Sequence, residues 1–65
     1  MHTTEGRLLL RPAEAAEAIG VSRARAYELI AQGTLPSIRI GSSIRVPVDA
    51  LRHWITEQLA ATAQR

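Results

Sequence analysis

Ser22, Arg23 and Arg25 stand together at the start of an apolar-periodic stretch, and further along the chain Arg39 and Arg45 alternate with isoleucine and valine. A guanidinium is always charged and presents its donors as a planar fork, so it fits phosphate oxygens or the O6/N7 edge of guanine. Arginines set beside a hydroxyl donor are therefore suited to holding an anion, and a repeating polyanion above all. The plainer alternative is a solvated surface. Covalent chemistry is not legible, because a single aspartate, a single tyrosine, no cysteine and no glycine-rich phosphate loop supply no nucleophile, base and orienting group together. His53 and Glu57 have the i, i+4 spacing that metal ligands use, but two ligands are too few and His2 belongs to a loose leader, so they read as a helix-surface pair. The expectation is a non-enzyme with no cofactor, no metal and no small-molecule substrate.

These residues need elements to position them. Within residues 13–32, AEAAEAIGVSRARAYELIAQ, two helical patterns meet at Ile19-Gly20-Val21-Ser22. Glycine at position 20 can take the positive φ that closes a helix, and Val21 can plug the space between the two helices. The Ser22 hydroxyl can accept from a backbone N–H two or three residues on and so start the second helix, leaving Arg23 and Arg25 in its first turn. That is the layout of a helix-turn-helix, although a small helical protein can contain such a joint without that role. Arg11-Pro12 starts the first helix, with proline preorganised at N1 and Glu14 near the positive end of the dipole, and the helix runs to about Ile19. In the second helix Ala26, Leu29 and Ile30 share the inner face, Ala24, Glu28 and Ala31 the outer one, and Arg25, Tyr27 and Gln32 the flanks. Gly33 and Leu35-Pro36 end it.

Ser37-Ile38-Arg39-Ile40 and Ile44-Arg45-Val46 alternate around Gly41-Ser42-Ser43, which reads as a β-hairpin. Ile38, Ile40, Ile44 and Val46 are expected to face the core, placing Arg39 and Arg45 together on the outer face. Pro47 ends the strand and Val48-Asp49 opens a last helix whose apolar stripe is Leu51, Trp54, Ile55 and Leu59, with Trp54 the largest core anchor. Leu8-Leu9-Leu10 reads as a short extended or strand-like run over the core. The fold class is α+β, mainly α: three helices and a two-stranded hairpin wing, with a short N-terminal strand as an option. Residues 1–7 are expected to form a flexible leader, residues 8–59 the winged domain, and residues 60–65 a tail that frays or waits for a partner.

Sixty-five residues make one domain at most, with a core that has little redundancy. Eleven alanines, seven leucines, six isoleucines and three valines, with no phenylalanine, argue for a compact core without a roomy pocket. Eight basic residues, all arginine, against six acidic ones give a net charge of only +2. Distribution carries more weight than the total, since Arg7, Arg11, Arg23, Arg25, Arg39 and Arg45 lie in the first two thirds of the chain, near turns and edges. Without cysteine there is no disulfide or thiolate site, so a cytoplasmic setting is the expectation, and no segment has the apolar length of a membrane helix.

The order of elements, carried by IGVSRARAYELIAQGTLPSIRIGSSIRVPVDALRHWI, resembles the excisionase family of small winged helix-turn-helix DNA-binding domains, which are similar to the heads of MerR-type regulators. The resemblance covers residues 8–59 and rests on Val21-Ser22-Arg23, Tyr27, Gly33-x-Leu35-Pro36, Arg39-Ile40-Gly41 and Arg45-Val46-Pro47. It implies a recognition helix in the major groove and a hairpin wing against the adjacent minor groove or backbone. It also implies partners: double-stranded DNA, which such proteins bend, and an integrase redirected from insertion to excision. A single domain of this size neutralises few phosphates, so further copies of the chain bound cooperatively on a nucleoid-associated DNA site are expected as well. A small transcriptional regulator of the same fold is the first alternative, and a protein-interaction module the second. Two departures stand out. Family wings often carry a basic tip where this chain has Ser42-Ser43, and the recognition helix shows Ala24 and Ala31, which offer only apolar contact such as a thymine methyl.

The expected DNA-contacting residues are Ser22, Arg23, Ala24, Arg25, Tyr27, Arg39, Ser42, Ser43 and Arg45. Arg23 reaches a phosphate or a guanine edge, Ser22 caps the helix and can also touch phosphate, and Arg39 and Arg45 meet the backbone. Tyr27 is either a core-edge ring with its hydroxyl in water or a phosphate contact through that hydroxyl. Arg7 and Arg11 are weaker candidates.

Overall fold

A computed structural model describes residues 7–63 of the chain; most of the expected leader, and the last two residues of the expected tail, lie outside it. The elements are β1 (Leu9–Leu10), α1 (Pro12–Ile19), α2 (Arg23–Ala31), β2 (Ile38–Ile40), β3 (Ser43–Pro47) and α3 (Val48–Ala63). The strands form one antiparallel sheet in the order β1-β3-β2, so the optional N-terminal strand is present and β3 lies in the middle. With three helices beside this small sheet, the chain has a mainly α architecture consistent with a winged helix-turn-helix.

Local chemistry explains the first two helices. Pro12 opens α1, and the Glu14 carboxylate reaches back to accept from the Arg11 backbone N–H at 2.9 Å while the Arg7 guanidinium donates to its other oxygen at 2.5 Å. That returning amide satisfies one of the donors a helix start leaves unpaired. Gly20, at φ 76°, ends α1, its N–H donating to the Glu17 carbonyl and the Val21 N–H to the Ala16 carbonyl. Ser22 then accepts from the Arg25 N–H at 3.0 Å and starts α2.

The core is small and wholly apolar: Leu10, Ala15, Leu35, Val46, Val48 and Leu51 form it, with Ile19, Leu29, Ile30 and Trp54 packed around it. α1 packs on α2, β1 and β3, and α3 packs on β3. Trp54 is half-buried rather than the chief anchor, a place taken by Leu10, Leu35 and Val46. The outer part of the expected α3 stripe is likewise displaced, with Ile55 45 % and Leu59 69 % exposed. A helix rises about 1.5 Å per residue, and β3 is the main support beneath α3, so only its first turns bury Val48 and Leu51. α3 continues as helix through residues 60–63.

The largest departure from expectation is in the hairpin. Ile40 pairs with Ser43, Arg39 with Ile44 and Ile38 with Arg45, so the loop is the two-residue Gly41-Ser42 and not the three-residue Gly41-Ser42-Ser43. A one-residue change of register turns one strand's side chains to the other face. Val46 is buried in the core as expected, whereas Ile44 on the same strand face is half-buried at the groove, and Ile38 and Ile40 point away and are 44 % and 53 % exposed. Arg39 and Arg45 therefore lie on opposite faces of the wing rather than together. Two effects favour this register. Gly41, at φ 62°, suits the tight two-residue turns of hairpins, and the three-residue loop would have set the two arginines directly across from each other, a destabilising pair.

The Arg11 amide holds the Glu14 carboxyl below the usual carboxylate range against an opposing desolvation, and the Arg7 guanidinium adds to the lowering. A lowered folded-state pKa adds stability above the ordinary carboxyl pKa, and that stability is lost as pH falls through the lowered value. Glu14→Gln is therefore expected to melt below the unaltered chain at pH 7, and the gap should close below about pH 4. Thermal unfolding followed by circular dichroism at the two pH values checks this, and a gap independent of pH would refute it.

Candidate nucleic-acid interface

The joint between α1 and α2 delivers Arg23 and Arg25 to an exposed helix start. Ser22, itself exposed, is engaged as the cap through its hydroxyl oxygen. At about 100° per residue, Arg23, Tyr27, Ile30 and Ala31 fall on one side of α2, while Arg25 lies on the other flank. Between these flanks the outward face holds Ala24 and Glu28, both exposed and both roughly 160° around the axis from fully buried Ala26.

Tyr27, Ile30 and Ala31 form one wall of an open groove of about 480 Å³, and Ser37, Ile38, Arg39 and Ile44 form the other. The groove thus runs between α2 and the wing, with Arg39 in its lining and the phenol of Tyr27 across from the hairpin. Tyr27 is 43 % exposed, so its ring edges the core and its hydroxyl end remains open to solvent. Arg23 shares the groove-side stripe of α2. Arg45 does not line the groove; it is half-buried and donates from its guanidinium to the Ile44 carbonyl at 2.8 Å. At the wing tip Ser42 occupies the turn, whereas Ser43 is already part of β3, opposite Ile40.

The structure thus brings Arg23, Tyr27 and Arg39 to one side and separates Arg45 from them. Electrostatically the arginines differ as well. The Arg25 guanidinium pairs with the Glu28 carboxylate at 2.5 Å, with both side chains more than half exposed. Among the described residues neither Arg23 nor Arg39 is paired with a carboxylate. His53 and Glu57 are 3.3 Å apart on the exposed side of α3, and among the described residues no group of histidine and acidic side chains could hold a metal ion. No described helix is long and apolar enough to cross a membrane. Glu28 is absent from the residues expected to make contact, yet it sits at the middle of the outward face. Its helical spacing from Ala24 and Ala31, which puts all three on one stripe, is the sequence signal for that position.

Residues 9–59 match the family described as a helix-turn-helix domain. An excisionase of Streptomyces ambofaciens is 41 % identical over 59 residues, which cover 91 % of this chain and 94 % of that protein. The chain belongs to the excisionase family of helix-turn-helix proteins. It is thus an excisionase-type DNA-binding protein. A probable excisionase of Saccharopolyspora erythraea is 37 % identical over 54 residues, 83 % of this chain; the chain spans about half of that relative's length, 55 %. No solved structure matches the chain. Within the matched segment the cap is the most local feature that this family layout requires: Ser22→Ala is expected to cost about 1 kcal/mol, measured by denaturant titration, with a loss under a few tenths showing that the α2 start is held by other means.

Proposed function

We propose that this chain acts without catalysis of its own, as an excisionase that lays α2 in the major groove and the wing along the adjacent minor groove or backbone. The observation that carries this reading is the groove between α2 and the hairpin, with Tyr27 on the helix side and Arg39 on the wing side, and with Arg23 on the same side of α2 as Tyr27. A duplex phosphate ridge is a convex, anionic object, and an open groove bordered by unpaired guanidinium groups complements it in shape and charge. Arg25 contributes from the opposite flank of α2, Ser22 and the α2 amides offer donors to a phosphate, and Ser42 does so at the wing tip. Ala24 supplies apolar contact. Ser43 and Arg45 act from the outer side of the wing and contribute less.

A module of this size neutralises few phosphates, which supports binding as several adjacent copies on double-stranded DNA, bending it and directing an integrase toward excision. The exposed pair Ile55 and Leu59 on α3 gives such copies, or the integrase, an apolar contact. Residues 8–59 act as the winged unit in this reading, within the cytoplasm and on the nucleoid.

Salt dependence tests it. Each neutralised phosphate adds about −0.9 to the slope of log affinity against log salt; Arg23 and Arg39 together give a slope of roughly −2 per bound copy, and Arg25, already paired with Glu28, adds less. Arg39→Ala should lower its magnitude by about 1, and Arg45→Ala by much less. Fluorescence anisotropy with a labelled duplex reads both. A flat response would reject duplex binding and favour the protein-interaction alternative, whereas equal losses from the two variants would reject the groove as the contact surface. Footprinting on an attachment site then separates excision from transcriptional control.

A further inference from the structure

We propose that Glu28 is the principal base-reading residue of this chain and that it selects cytosine. The inference rests on the reading of α2 as the major-groove helix. At the middle of the outward face stand Ala24 and Glu28, with Ala31 one turn on, and of these only Glu28 is long enough to reach past the backbone to a base edge. Arg23 and Arg25 lie on the two flanks, where the strands' phosphates border the groove.

A carboxylate in that position accepts hydrogen bonds and donates none, so it discriminates sharply. Guanine presents N7 and O6, and thymine O4, all acceptors that repel it. Adenine offers the N6 amino group, but with the N7 acceptor on the same edge. Cytosine offers its N4 amino donor and no major-groove acceptor, and it is the base whose edge a lone carboxylate satisfies. Wherever cytosine is missing, the carboxylate oxygen that Arg25 leaves free is desolvated at a base edge that does not satisfy it, so the residue rejects other sequences as much as it recognises its own.

The ion pair with Arg25 makes this tolerable. A bare carboxylate would weaken every approach to DNA. With the Arg25 guanidinium at 2.5 Å, the pair enters the groove nearly neutral, and the other carboxylate oxygen, which takes no part in that hydrogen bond, remains free to accept from the base. The pairing also tethers Arg25 near the position from which it meets a phosphate.

Glutamine at the same position has a different code, since its amide can accept from adenine N6 and donate to N7. The experiment is binding-site selection from a random-sequence duplex pool with the unaltered full chain, Glu28→Gln and Glu28→Ala, followed by anisotropy titration on the selected sites and on a scrambled duplex. The unaltered chain should select cytosine at one position, Glu28→Gln should shift that position alone to adenine, and Glu28→Ala should lose the preference. In Glu28→Ala the ratio of specific to scrambled affinity should fall roughly ten- to a hundredfold, with scrambled binding strengthened. Matching circular dichroism spectra show that the exposed substitutions leave the fold intact. If the variants bind but select the same bases as the unaltered chain, the inference is overturned and the DNA-binding reading stands. If the unaltered chain enriches no duplex at all, both are overturned.

Discussion

The two-residue turn at Gly41-Ser42 is the constraint on which the binding surface depends. It sets Arg39 across from Ile44 and Ile38 across from Arg45, and because side chains alternate along each strand, it also determines which arginine shares a face with the groove. Val46, fully buried, pairs with Leu10 of β1 on the same inner face. The central strand therefore serves the core through Val46, while Ile44 and its cross-strand neighbour Arg39 line the groove beside α2. A slip by one residue would return Ile38 and Ile40 to the inner face and turn Arg39 out of the groove.

The helical half of the molecule is governed by small residues. Ala15 and Ala16 of α1 and Ala26 of α2 are almost wholly buried, and such short side chains let the helices approach closely with little apolar volume. Gly20 and Ser22 then end one helix and start the next within a few residues, which fixes the angle between them without a long loop. Close packing on the inner face leaves α2 held chiefly through α1, and its outer and flanking residues open. The proposed placement of α2 in the major groove calls for this combination: a firmly seated inner stripe and an unobstructed outer one.

Much of this was legible in the chain itself. Pro12, Glu14, Gly20, Ser22 and Gly33 act locally, each through its own backbone preference or one short-range hydrogen bond, so the bounds of α1 and the start of α2 follow from sequence. The register of the hairpin did not, because Ile-x-Ile on one strand and Ile-x-Val on the other alternate equally well around two or three turn residues, and only cross-strand pairing decides between them. The α3 stripe misled for a similar reason. Leu51, Trp54, Ile55 and Leu59 have helical spacing, but spacing cannot report how far the supporting sheet extends, and Leu59 has outrun it. In the candidate interface the positions of Arg23 and Arg25 were readable from the cap, whereas the separation of Arg39 from Arg45 depended on the register.

Net charge is a poor guide to how such a surface works. The total of +2 is spread over arginines in quite different circumstances. Arg7 is bound to Glu14, Arg25 to Glu28, and Arg45 to a carbonyl of its own strand. An arginine already paired can meet a phosphate only by sharing its donors or leaving its partner, so its contribution to binding is reduced by what it gives up. Arg23 and Arg39 have no carboxylate partner among the described residues; Arg39 lines the groove, and Arg23 lies on the same side of α2 as Tyr27 of its other wall. In the proposed reading, where the charges sit relative to the groove therefore matters more than how many there are.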